Sequence, residues 1–359
     1  MRVMQDAANG LREAVLKVIE AAASGVPGEA ARAALAERTE ALPLDRMAQW
    51  EQVIRGAVDA YRGAGPVGKH LLRHPGTAWI ALCSGSGFDR EHALRAVLAG
   101  PAATTLWALM LKGWLPRVGR ATSEVVPPVS VFVLALAVRR LNDWVPQVRS
   151  AARQCLPALA TAAGSEKTGE AFRAVLPFWT EWGRLEAVDR QVLDQLLEQP
   201  GVADGIRHMV ISGTSGPMAE LLAQVSRTAV LDAHWNTIAR DAIQPAVRAR
   251  AYRALLMGKV LWLQERRWRW IHKGLYLGRM EAVFGQRHLD VAVPFLEALA
   301  SAASDRSAYV RREAAEALSR EMKALGGTAL PIALQLAADP VPSIAQRGRY
   351  VLERLEPAG

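Results

Sequence analysis

SDRSAYVRREAAEALSREM, Ser304 to Met322, places an acidic residue in a turn, an apolar residue after it, and Arg at the head of an Ala-rich segment. From Val310 onward its apolar residues recur at helical spacing, so the stretch reads as a turn feeding an amphipathic helix. The same order returns as Asp143 to Val148-Arg149, as Asp241 to Val247-Arg248, and as Asp339 to Ile344, where the Arg falls late at Arg347. The apolar anchors Phe88, Val148, Val247, Val310 and Ile344 are 60, 99, 63 and 34 residues apart. These gaps lie close to multiples of about 30 to 34 residues, the length of one pair of short antiparallel helices in a stacked array.

The rest of the chain agrees with that reading. Alternating runs of β-branched and aromatic residues are scarce, while Ala, Leu, Arg and Glu recur with helical period, so the expected fold class is all-α. Helices are expected near 5–22, 29–40, 44–61, 88–99, 102–112, 129–141, 147–162, 168–182, 185–198, 216–231, 246–273 with a break near Gly258, 290–303, 308–324, 328–338 and 343–355. Pro101, Pro146, Pro217, Gly326-Gly327 and Pro342 mark joints. A chain of 359 residues exceeds what one globular core covers, but an array grows by adding units. The expected organisation is one array over 1–359, with a helical cap over 1–62 and irregular repeats over 161–240.

On NDWVPQVRSAARQCLPAL, Asn142 to Leu159, and on Ser304 to Met322, the chain resembles the HEAT repeat family, in particular its short bacterial form. The resemblance implies an α-solenoid of stacked antiparallel helix pairs. It also implies a hydrogen-bonded ladder between successive units, using Asp143 with Arg149, Asp241 with Arg248 and Asp305 with Arg311. It implies no single activity, because the family includes many protein-binding scaffolds and fold alone does not license a function.

Composition narrows the classes. Apolar residues make up 51% and charged residues 22%, which is globular and not disordered. Cys83 and Cys155 are too few for a disulfide framework and sit in apolar surroundings, which fits reduced thiols and a cytoplasmic location. The first twenty residues carry Asp6, Glu13 and Glu20 in an amphipathic pattern and read as helix, not as an export signal. The longest apolar run, Val125 to Val138, is shorter than a membrane span and contains Pro127 and Pro128, so no membrane partner is expected. The net charge of +9 is concentrated: residues 61–160 hold 12 basic against 4 acidic residues, and 241–290 hold 10 against 4. Charge gathered in this way attracts polyanions or acidic protein surfaces.

Motifs for chemistry are few. GAGPVGKH, Gly63 to His70, has the spacing of a phosphate-cradling loop, but His70 replaces the hydroxyl residue and the preceding segment is helical, so it reads as a connection. His70 and His74 are four apart, yet no Cys or carboxylate joins them at ligand spacing, and Pro75 ends the segment. Neither a metal, a cofactor nor a catalytic residue is expected.

VLWLQERRWRWIHKGLY, Val260 to Tyr276, has the most distinctive local composition. Drawn as a helix, it aligns Trp262, Arg266, Arg269 and Lys273 in one stripe with Trp270 at its edge, and puts Leu261, Trp268, Ile271 and Leu275 on the opposite, core side. The stripe suits an acidic partner or phosphates with stacking. The other basic block holds Arg139, Arg140, Arg149 and Arg153 with Lys112, Arg117 and Arg120, and the two blocks are expected to share the concave side of the array. Trp50, Trp79, Trp107 and Trp144 occur at apolar helical spacings and read as packing residues. The expected function is a noncatalytic scaffold that binds a protein partner through the basic, Trp-containing face, as a subunit of a larger assembly. The alternative is a nucleic-acid-binding solenoid. A third reading, a HEAT-like glycosylase for alkylated bases, would draw on Asp143-Trp144 or on Asp232 with Trp235. The oligomeric state is not legible.

Overall fold

The computed structural model describes residues 2–61, 63, 66–110, 129–290 and 292–355, and the backbone alone at residues 2, 75 and 99–110. Lys112, Arg117 and Arg120 of the first basic block lie outside the described residues, as does the side chain of Trp107. The described chain is predominantly helical and forms two compact units, Met1–Val175 with Trp182–Val202, and Leu176–Glu181 with Ala203–Gly359.

The first unit contains α1 (Arg2–Ser24), α2 (Glu29–Glu40), α3 (Met47–Ala60), α4 (Val67–Leu71), α5 (Pro75–Ala78), α6 (Gly87–Met110), α7 (Val131–Arg139), α8 (Pro146–Ala163), α9 (Ser165–Val175) and α10 (Ala187–Leu197). Helix α8 shows how the sequence makes each element. Pro146 occupies the first turn, where its missing N–H costs nothing, and the helix stops at Gly164. Val148, Ala151, Ala152, Cys155, Leu156 and Leu159 recur at three- and four-residue steps and are buried. That stripe packs α8 against α6, α7, α9 and α10, while α1 packs against α2 and α3.

The second unit contains α11 (Val202–Ser212), α12 (Met218–Val225), α13 (Trp235–Asp241), α14 (Pro245–Met257), α15 (Phe295–Ala303), α16 (Ala308–Leu325), α17 (Leu330–Ala337) and α18 (Pro342–Leu355). Helices α13 and α14, α15 and α16, and α17 and α18 pack as pairs, and α14 also packs on α16 and α16 on α18. The sequence pattern found the pairs α15 with α16 and α17 with α18 but missed α4, α5, α11 and α13, which are short or weakly periodic. Helix α6 runs through Pro101, where a joint was expected.

One expectation is overturned. The expected helix over 246–273 ends at Met257, and Lys259–His272 is a strand, β1, paired antiparallel with a second strand, β2 (Leu277–His288). Gly258 takes a left-handed conformation, φ 60° and ψ 22°, and gives its N–H to the Ala254 carbonyl, which terminates α14. Beyond it, Arg266, Trp268 and Trp270 alternate with Arg267 and Arg269, a two-residue period that suits a strand better than a helix. The predominantly helical chain therefore carries a β-hairpin.

Candidate docking hairpin

The root of the hairpin is tied to the helical part of its own unit by two arginines. Arg287 donates to the carbonyls of Ser226 and Thr228, each at 2.7 Å, and to both carboxylate oxygens of Asp232, at 2.5 and 2.7 Å. The guanidinium of Arg227 lies 4.5 Å from the ring centre of Trp179 and 5.6 Å from that of Trp262, a cation held between two indoles. Val260 and Leu289 are buried, and the Leu289 N–H bonds the Gly258 carbonyl at 3.0 Å to close the base. A Cβ on Gly285 would stand 2.3 Å from Nε1 of Trp262, so the absence of a side chain there lets the indole lie across β2. Nε1 of Trp262 is buried with no hydrogen-bond partner among the described residues.

Register then divides the hairpin into two faces, because residues directly opposite each other project to the same side. Pairs Arg267↔Glu281 and Arg269↔Arg279 define a charged face. On it Arg267 bonds Glu265 at 2.6 Å, and Glu281 accepts from Arg279 at 2.7 Å and from Arg269 at 3.2 Å. Hydrogen bonds from Arg279 first, then from Arg269, hold the Glu281 carboxyl below the usual range. Pairs Leu263↔Phe284, Arg266↔Ala282, Trp268↔Met280 and Trp270↔Gly278 define the opposite, aromatic face. Its indoles meet edge to face at 5.7 Å, and Trp270 meets Tyr276 of the turn at 6.4 Å.

This aromatic face is uncovered. Trp268 is 47%, Trp270 43%, Phe284 61% and Tyr276 82% exposed. Eight of the twenty exposed large apolar residues among those described fall within Lys259–His288, which makes this a concentrated patch and not ordinary scatter.

The expected helical stripe is corrected accordingly. Arg266 and Trp270 share the aromatic face, Trp262 and Arg269 lie on the other face, and Lys273 sits in the turn. Trp268, expected in the core, belongs to the exposed patch. The β-bulge between Leu263 and Glu265 swaps the faces part-way along β1, and no single period applied from Val260 recovers that. The signal that was available is the alternation in RRWRW itself.

Of the other basic block, the described Arg139, Arg140 and Arg153 are engaged in ion pairs. Arg140 is buried and pairs with Glu51 and Asp143, and Arg139 pairs with Glu51 at 2.9 Å. Burial pushes the Glu51 carboxyl up, but Arg140 and then Arg139 outweigh it and hold the group at about 2. Arg153 donates to the fully buried Asp189 at 2.7 Å.

The turn residues are engaged in a different pairing from the one expected. Arg90 grips both oxygens of Asp143 at 2.8 and 2.9 Å, Arg248 those of Asp305 at 2.8 and 2.9 Å, and Arg311 those of Asp339 at 2.6 and 3.1 Å. Each guanidinium thus reaches the carboxylate of a later turn while donating to backbone carbonyls before its own helix: Ser84 for Arg90, Ala242 for Arg248 and Asp305 for Arg311. Each carboxylate also accepts from the N–H two residues on, at Val145, Ser307 and Val341. Arg149 bonds the Asp143 carbonyl and Glu186, and Asp241 is exposed and outside these pairs. Arg90 escapes the repeat pattern because the anchor position falls at Phe88, which is exposed against His92. Trp144, read as packing, is 63% exposed with Arg90 beside its ring. Neither Asp143 nor Asp232 offers an open carboxylate for base excision, since arginines hold both.

The remaining motifs resolve simply. Lys69 and His70 lie in α4, and Nδ1 of His74 accepts the Gly76 N–H at 3.0 Å as the cap of α5. No cluster of metal-ligating residues and no helix long and apolar enough to cross a membrane occurs among the described residues. No protein-family model matches the chain, and no curated protein was found similar to it.

Proposed function

We propose that the chain is a HEAT-like α-solenoid scaffold that binds a protein partner through the hairpin Lys259–His288. Support for the array comes from the Arg–Asp pairs that link one turn to a later one, and from the packing of α14 on α16 and α16 on α18. The observation that carries the docking role is the uncovered aromatic face of a hairpin whose root is fixed. Its exposed residues include Trp, Tyr, Phe, Met and Arg, the types enriched where protein interfaces lose water, and Lys273 is the lone Lys of the distal half. A root tied by Arg287 and Arg227 presents these anchors already ordered, so less freedom is lost on binding.

Nucleic acid is the second reading, favoured by seven Lys and Arg against two Glu in Lys259–His288 and by indoles available for stacking. Against it, Arg267, Arg269 and Arg279 already hold carboxylates, and Ile271, Leu275 and Met280 have no role in phosphate contact. The test is affinity purification from the native source, with nuclease treatment, of wild type and of the triple variant Trp268→Ala, Trp270→Ala, Phe284→Ala. One stoichiometric protein, retained after nuclease and lost with the triple variant, is expected. Release of all bound material by nuclease assigns the hairpin to nucleic acid instead, and equal recovery by both proteins removes the docking role.

A further inference from the structure

The first unit contains a cavity of about 220 Å³ walled by the end of α1, the turn Gly25–Gly28, the start of α2, and α4 with α5. Arg32, Arg73, His70 and His74 line it, and no carboxylate does so among the described residues. Some arginines elsewhere in the same unit are matched, Arg90 to Asp143, Arg140 to Glu51 and Arg153 to Asp189. Arg32, half-buried, and Arg73, exposed, have no ion-pair partner among the described residues and are open to an anion from solvent.

The placement of Arg32 sharpens this. Its Nη1 lies 3.6 Å from where a Cβ on Gly28 would stand, and its Cδ 3.3 Å from the corresponding point on Gly76. The guanidinium therefore folds back over the N-terminus of its own helix, α2, where Gly28 provides no side-chain cap. The N-terminal end of a helix carries partial positive charge, and a guanidinium held beside it adds to that charge. Glu29, the acid of that first turn, is exposed and is not among the lining residues. Because Nδ1 of His74 accepts the Gly76 N–H, the neutral ring carries its proton on Nε2, which makes that nitrogen a donor.

We propose that this cavity binds a phosphate group, as the free ion or as a small phosphate monoester, clamped between Arg32 with the start of α2 and Arg73 with the two histidines. Guanidinium groups and helix N–H groups are the donors that suit a tetrahedral dianion. Volume limits the ligand. A cavity of 220 Å³ exceeds the share of one liquid water, about 30 Å³, several-fold, but falls below the roughly 300 Å³ at which pockets for larger ligands begin. A phosphate with a short substituent fits within it, and a larger ester group would extend out of its open mouth.

The site is independent of the hairpin and is tested without it. Inorganic phosphate and glycerol 3-phosphate are titrated calorimetrically into wild type, Arg73→Gln, and the double variant Arg32→Gln, Arg73→Gln, with chloride at matched ionic strength as the control and circular dichroism to verify folding. Saturable binding of phosphate by wild type, weakened at least tenfold in the double variant and measurably in Arg73→Gln, is the expected result. Tighter binding of glycerol 3-phosphate assigns the site to monoesters, and equal binding assigns it to the free ion. Heats no larger than those of chloride, or unchanged affinity in folded double variant, would overturn the proposal.

Discussion

At the scale of single residues, the internal arginines hold turns together. Arg248 is buried and grips Asp305 with two bonds while also donating to Ala242 and Ile243, so its charge is fully satisfied. Asp305→Ala leaves that guanidinium buried without its counter-charge and is expected to cost about 3–5 kcal/mol in denaturant unfolding. The exposed pair of Arg267 with Glu265 on the hairpin is the contrast, and Arg267→Ala is expected to change stability by less than about 1 kcal/mol. Glu51 adds a pH signature. Its folded carboxyl titrates near 2 against an ordinary 4.5, so its contribution is complete above pH 4.5 and is lost as the pH falls toward 2. Acid unfolding should sharpen over that window by an amount of order 3 kcal/mol. In Glu51→Gln the slope there should flatten, with lower stability at neutral pH.

At the scale of the element, the hairpin depends on its root more than on its length. An isolated two-stranded ribbon is marginal in water, so the helical anchorage through Arg287, Arg227 and Trp262 is what keeps this one ordered. Gly285→Val drives a side chain into the Trp262 indole and should loosen the root. Limited proteolysis is expected to cut Gly285→Val within 264–283 faster than wild type, whereas Tyr276→Ala at the exposed tip should be cut at the wild-type rate. Equal cleavage of Gly285→Val and wild type would show that the indole contact does not set the order of the arm. The hairpin also marks the limit of pattern reading at this scale. The RRWRW alternation carried the strand signal, but a helical frame extended from α14 absorbed it, and the bulge at Gln264 blurred the period.

At the scale of the whole molecule, the first unit has a handle of its own. Cys83 and Cys155 both belong to the first unit and are buried, and burial, then Glu51, pushes the Cys83 thiol up to about 12. Thiolate is the reactive form, so both residues should resist a thiol reagent in the folded protein and react only as the first unit opens. Labelling across a denaturant series therefore reports that unit alone. Rapid labelling of Cys83 in the absence of denaturant would contradict its burial.

What the sequence determined by itself was the local code: amphipathic period, Pro at helix starts, Gly at helix ends, and an Asp–turn–Arg order that recurs. Those signals are local because capping and periodicity act within a few residues. Tertiary structure decided the rest. It chose which Asp each Arg grips, across separations such as Arg90 to Asp143 and Arg248 to Asp305. It sank Arg139, Arg140 and Arg153 into ion pairs, and it left Trp268 in solvent. Charge and hydrophobicity tell what a side chain prefers; only its packed neighbours determine whether that preference is met inside the fold or left for a partner.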